Sequence, residues 1–291
     1  MHPIQYAKRI CSVYKLKRHM LAEVRKFDGM AVLHETAQAI ERVSGFNTAD
    51  KLGKVRFIRR IPGYDLYHYL KLKSSGFQDA TVIGRAIFGK FIYLPLNRLI
   101  LTNIMKHNLW KEGQDSEAVQ SSIAKLIRTV RRITVHEFVH IVDTESDRLL
   151  RREDMDPRLK RELQRRAFRG EYDIGMQYET NTGLGRLPLR ELIAIATTSL
   201  VLDEHVLTGV SQATFDEYVD VNRTAKRLLN DRIDFVRHLV AYRDFMVDNR
   251  HVLAYRFLNT VMPFLGDATV RIIISRPPKF TELLDPSSYE T

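Results

Sequence analysis

Apolar residues near the start of the chain recur at Ile10, Val13, Leu16, Met20, Leu21 and Val24. That spacing puts them on one face of a helix. Residues 1–27 therefore read as a basic amphipathic helical segment, docked on the body or lying on a partner. Residues 32–43 predict a second helix, closed by Ser44-Gly45. Residues 55–61 predict a strand stopped by Pro62-Gly63, and the aromatic cluster Tyr64, Tyr67, His68 and Tyr69 follows as partly buried packing. Residues 81–87 and 91–94 predict a hairpin turning around Phe88-Gly89-Lys90. Residues 99–110 predict a short helix or helical loop. Gly113 to Ser116 then offers an N-cap for a long helix from about Glu117 to Asp143.

Beyond that helix, residues 146–169 are highly charged and helical in pattern, and residues 170–185 are loop-like, with Asn181-Thr182-Gly183-Leu184-Gly185. Residues 188–201 predict an apolar helix. Residues 214–264 predict two or three helices rich in arginine and aromatics. Val270-Arg271-Ile272-Ile273-Ile274 predicts a late strand, and Arg276-Pro277-Pro278-Lys279 opens an irregular tail. The organisation expected is a basic helical segment over 1–30, a main domain over 31–205, a helical extension over 206–265, and a strand with a C-terminal tail over 266–291.

The chemistry concentrates in the long helix. His136-Glu137-Phe138-Val139-His140 reads His-Glu-x-x-His inside an apolar run from Ile133 to Val142. Four residues apart on a helix, the two imidazoles lie on one face and can share a Zn²⁺ ion. Glu137 follows the first histidine, so its carboxylate can take a proton from a water activated by the metal. A catalytic zinc site needs a third protein ligand. Glu191 is the only acid in the 188–201 helix, and small residues at Ala194 and Ala196 allow close backbone approach. Asp143, one turn beyond His140, and His205 are the competing candidates.

On these residues the chain resembles the zinc peptidases of the anthrax lethal factor type, within the gluzincins. The likeness rests on His136-Glu137-Phe138-x-His140-x-Val142-Asp143, and on Gly185-Arg186 followed by Glu191, Ala194 and Ala196. It covers roughly residues 80–202. The order of helix, strand, hairpin and motif-bearing helix matches that layout too. The resemblance implies His136, His140 and Glu191 as zinc ligands and Glu137 as general base. It also implies a peptide substrate paired along an edge strand of the 81–94 hairpin. Two departures stand out: Leu184 occupies the place of a tyrosine that stabilises the oxyanion, and Ile195 the place of another acid. Tyr178 and Tyr172 are the candidates to replace the tyrosine. The fold class expected is α+β: a zincin-like metallopeptidase core, with a small mixed sheet, an edge strand and an active-site helix, plus a helical C-terminal extension.

Composition narrows the setting. Cys11 is the single cysteine, which excludes an internal disulfide framework and any thiolate metal cluster. No eighteen-residue run is uninterruptedly apolar and no signal peptide is read at the start, so a cytoplasmic protein without a membrane span is expected. The net charge of +11 favours anionic partners. Assembly partners would contact the basic N- and C-terminal segments. Nucleic acid fits the charge, although no run resembles a nucleic-acid motif. The function expected is a zinc-dependent endopeptidase acting on a protein or peptide substrate. The alternative is a structural or assembly protein, such as a virion component, built on a peptidase-like fold with little or no proteolysis.

Overall fold

The structure is a computed structural model and describes residues 3–59, 85–87, 89–143, 186–206, 253–278, 282–283 and 285–289. Among these the chain is mostly helical with one small sheet, an α+β arrangement. It forms two compact units, Met1–Gln38 with Ala49–Ile141, and Ala39–Thr48 with Val142–Thr291. The chain passes between them after Gln38, Thr48 and Ile141.

In the first unit, helix α1 (Pro3–Val24) buries Leu16, Met20 and Val24. Burying each such side chain contributes about 1.5–3 kcal/mol. Helix α2 (Gly29–Ser44) begins at Asp28, whose Oδ1 accepts the N–H groups of Met30 and Ala31 at 2.9 and 3.1 Å. That cap satisfies two of the orphan donors of the first turn. A short helix α3 (Ala49–Leu52) leads into strand β1 (Arg56–Ile58). Strand β2 (Arg85–Ile87) turns through Gly89, at φ 63°, into strand β3 (Phe91–Tyr93). Glycine suits that turn because a side chain resists the left-handed region.

The sheet has the order β1-β3-β2. Phe57 pairs with Ile92 in parallel register, and Ala86 pairs with Ile92 in antiparallel register. The expected hairpin is therefore present in its described part, with β2 on an edge and β3 in the centre. Ile92 and Tyr93 are buried.

Helix α4 (Leu96–Lys106) packs along α1 and buries Leu96, Ile100 and Ile104. The two helices run antiparallel. Leu21 of α1 and Arg25 just past its end share a cavity wall with Leu96 and Asn97, while Arg9 stacks over Trp110 at 4.5 Å, just past the end of α4. So α1 packs against other helices of the first unit.

Helix α5 (Glu117–Val142) starts where expected, with the Ser116 hydroxyl accepting the Val119 N–H at 3.3 Å. In its first four turns only one stripe is buried: Val119, Ser122, Ile123, Leu126 and Val130. From Ile133 onward burial extends round the helix, taking in Thr134, Val135, Glu137, Phe138, Val139 and Ile141. Such all-round burial is the environment of a helix at the centre of a core.

In the second unit, helix α6 (Arg186–Leu202) is buried from Leu189 to Ser199 except at Arg190. A further helix, α7, spans residues 253–265, and a 3-10 turn at Gly266–Ala268 leads into helix α8 (Thr269–Ser275), which packs on α6. This corrects the strand expected over 270–274. The isoleucine run has strand composition, but Thr269, Val270 and Ile273 are the buried positions, at helical spacing. The end of the chain folds back here. Arg276 pairs with Glu282 at 2.6 Å and lies 4.3 Å over the Tyr289 ring, while the Tyr289 hydroxyl donates to the Arg276 carbonyl at 2.7 Å. Tyr289 also meets Phe257 edge-on, with centroids 4.9 Å apart.

Among the described residues, Leu253–Ser275 is the one helical stretch long and apolar enough to cross a membrane by length and composition. The 3-10 turn interrupts it, with Gly266 at φ 52° and exposed Asp267 beside it. In α7, Leu253, Ala254, Phe257, Leu258 and Val261 are buried along one stripe, the pattern of a core-facing helix.

Candidate metal centre

The last turns of α5 carry the His-Glu-x-x-His residues, and the helical spacing does to them what the sequence leads one to expect. His136 and His140 present their Nε2 atoms to each other at 3.2 Å, with the rings edge to face and centroids 4.7 Å apart. Two nitrogens bound at about 2.0–2.1 Å to one tetrahedral ion would lie about 3.3–3.4 Å apart. The imidazole pair is therefore spaced for a shared cation. Both histidines are partly exposed, while the helix around them is buried.

Glu137 lies between them in sequence and is 8% exposed. Its Oε2 accepts the backbone N–H of Ala86 at 2.5 Å. This contact joins the middle residue of the edge strand to the carboxylate expected to act as base. Sequence reasoning singled out the hairpin and Glu137 but not the bond between them. Ala86 carries no functional group, so only its place on an edge strand ahead of the motif could have signalled it.

Glu191 sits on the second turn of α6 and is 7% exposed. His136, His140 and Glu191 form a group that could hold a metal ion, since one ligand atom from each lies within 4.8 Å of the others. Two imidazole nitrogens and a carboxylate oxygen are a donor set suited to Zn²⁺ and neighbouring divalent ions. The competing candidates stand apart from this group: Asp143 is buried just past the end of α5, and His205 is exposed beyond α6. Tyr172, Tyr178 and Leu184 lie outside the described residues.

Comparison of the chain with protein-family models, with curated proteins and with solved structures gives no match.

Proposed function

We propose that the chain is a zinc-dependent endopeptidase with a zincin-like core. The observation that carries this reading is the grouping of two imidazoles and one carboxylate at His136, His140 and Glu191, with Glu137 beside the first histidine. These three residues would hold the ion. Bound there, Zn²⁺ supplies a Lewis acid that makes water more acidic and polarises a peptide carbonyl. Glu137 accepts the proton of the attacking water and passes it to the leaving amine. The Ala86 N–H holds one carboxylate oxygen of Glu137 in place against β2. The substrate is a peptide in extended form lying beside strand β2. An oxyanion donor from Tyr172 or Tyr178 completes the proposal.

The test is elemental analysis of the purified chain, with His136→Ala and Glu191→Ala alongside, followed by a peptide-library digest with Glu137→Gln as control. About one zinc per chain is expected, lost or weakened in both ligand variants. Cleavage should vanish in Glu137→Gln while its zinc is retained. A parent that takes up no metal after reconstitution overturns the reading. A zinc-loaded parent that cuts nothing, yet still assembles with partners, turns it toward a scaffold role.

A further inference from the structure

We propose that the first unit carries a second site, a cleft that binds a small phosphate monoester with an apolar group. It is independent of the metal centre. Two adjoining cavities of about 340 and 310 Å³ share Arg25, Arg59 and Leu96 in their walls. Either volume falls in the range of small-molecule sites, about 300–1,000 Å³. The larger cavity has an apolar wall from Val24, Phe57, Leu94, Leu96 and Val130. Arg25, Lys26 and Arg59 are exposed on its rim.

Among the described residues the charge on this rim is unbalanced. Lys26 is held by Glu23 at 2.7 Å. Among the described residues Asp28 is the acid on the wall, and its Oδ1 is committed to the Met30 and Ala31 N–H groups. Neither Arg25 nor Arg59 is paired with a carboxylate among the described residues. Two guanidinium forks over an apolar floor match a ligand whose anionic head takes several parallel N–H bonds and whose body avoids water. A phosphate monoester offers three terminal oxygens and up to two negative charges to the two forks, more than a single carboxylate with two oxygens and one charge. The floor is tightly drawn at one point: a Cβ at Gly29 would lie 2.5 Å from Cζ of Phe57. A side chain there must push the Phe57 ring, which lines the cavity.

The experiment is calorimetric titration of the full chain with phenyl phosphate, with inorganic phosphate and benzyl alcohol as separate arms. Saturable binding of phenyl phosphate is expected, with inorganic phosphate weaker and benzyl alcohol silent. The Arg25→Gln/Arg59→Gln double variant should weaken binding by at least about tenfold, and Gly29→Ala should weaken it through Phe57. A second readout needs no variant: phenyl phosphate should protect Arg25 and Arg59 from phenylglyoxal, read by mass spectrometry of the digest. The proposal is overturned if the parent shows no saturable binding or if the double variant binds equally well. It is also overturned if inorganic phosphate binds as tightly as phenyl phosphate, or if the two arginines are labelled equally with and without ligand.

Discussion

The backbone N–H of Ala86 is bonded to the carboxylate of Glu137, 51 positions away in sequence, at 2.5 Å. Ala86 lies opposite Ile92 in the β2–β3 ladder, yet its N–H goes to the helix. A bond to a charged acceptor is worth about 1.5–3 kcal/mol. Here it fixes a carboxylate against a strand and so ties the sheet to the helix that bears both histidines.

Ala86→Pro removes that single donor. Proline is tolerated on an edge strand where its missing N–H does not serve the ladder. The expected outcome is loss of peptide cleavage by about tenfold to a hundredfold, with zinc content unchanged, because neither histidine is touched. Turnover and elemental analysis on the same preparation check it. An unchanged rate would mean that Glu137 needs no such anchor.

Metal removal should lower stability as well as activity. An ion bound by the folded chain alone stabilises it by about 2.7 kcal/mol when its concentration is a hundredfold above Kd. Dialysis against a chelator should therefore lower Tm by several degrees, and Zn²⁺ should restore it. In His140→Ala the chelator should leave Tm nearly where it was. Differential scanning calorimetry with and without chelator reads both effects.

Gly45 ends α2 at φ 79°, and its N–H bonds to the Glu41 carbonyl at 2.8 Å. No atom lies within 4 Å of the place a Cβ would take, so Gly45→Ala meets no steric clash. Its cost is backbone strain alone, about 1–2 kcal/mol. Denaturant unfolding should show a lower midpoint with an unchanged slope.

The Tyr289 phenol is pushed above its ordinary value, chiefly by burial, which opposes the charged form, against the opposing pull of the Arg276 guanidinium. A raised folded-state pKa means that the stabilisation is fully present below the unfolded value of about 10. It is lost as pH rises through the folded value. In a Tm series from neutral to strongly alkaline pH, the parent should fall more steeply than Tyr289→Phe. At neutral pH the variant should be less stable by about 1 kcal/mol, for loss of the bond to the Arg276 carbonyl.

How much of this was legible beforehand follows the range of the interactions. The long helix α5 could be read because its cap at Ser116 and its stripe of Val119, Ile123, Leu126 and Val130 are local signals. The histidine pair was legible for the same reason. Glu191 could be singled out as an acid entering an apolar helix, but its grouping with the histidines is a tertiary fact. The Ile272-Ile273-Ile274 run misleads, because branched residues fill a strand or a buried helix equally well over so short a length. The crossings between the two units inside α2 and α5 leave no mark in composition. A backbone donor such as Ala86 is invisible to any reading of side chains.

Trp110 is the sole tryptophan, and the guanidinium of Arg9 and the ammonium of Lys111 lie 4.5 and 5.3 Å from its ring. Cations held on an indole face alter its emission, so intrinsic fluorescence excited at the red edge of absorption watches one corner, the seam of α1 with α4. The second compact unit has no such chromophore. Release of the N-terminal helix would thus be seen as a change of colour, while melting of α6 to α8 would pass unlit and register only as lost ellipticity. A single natural dye thereby separates two events that a melting curve by circular dichroism would blend.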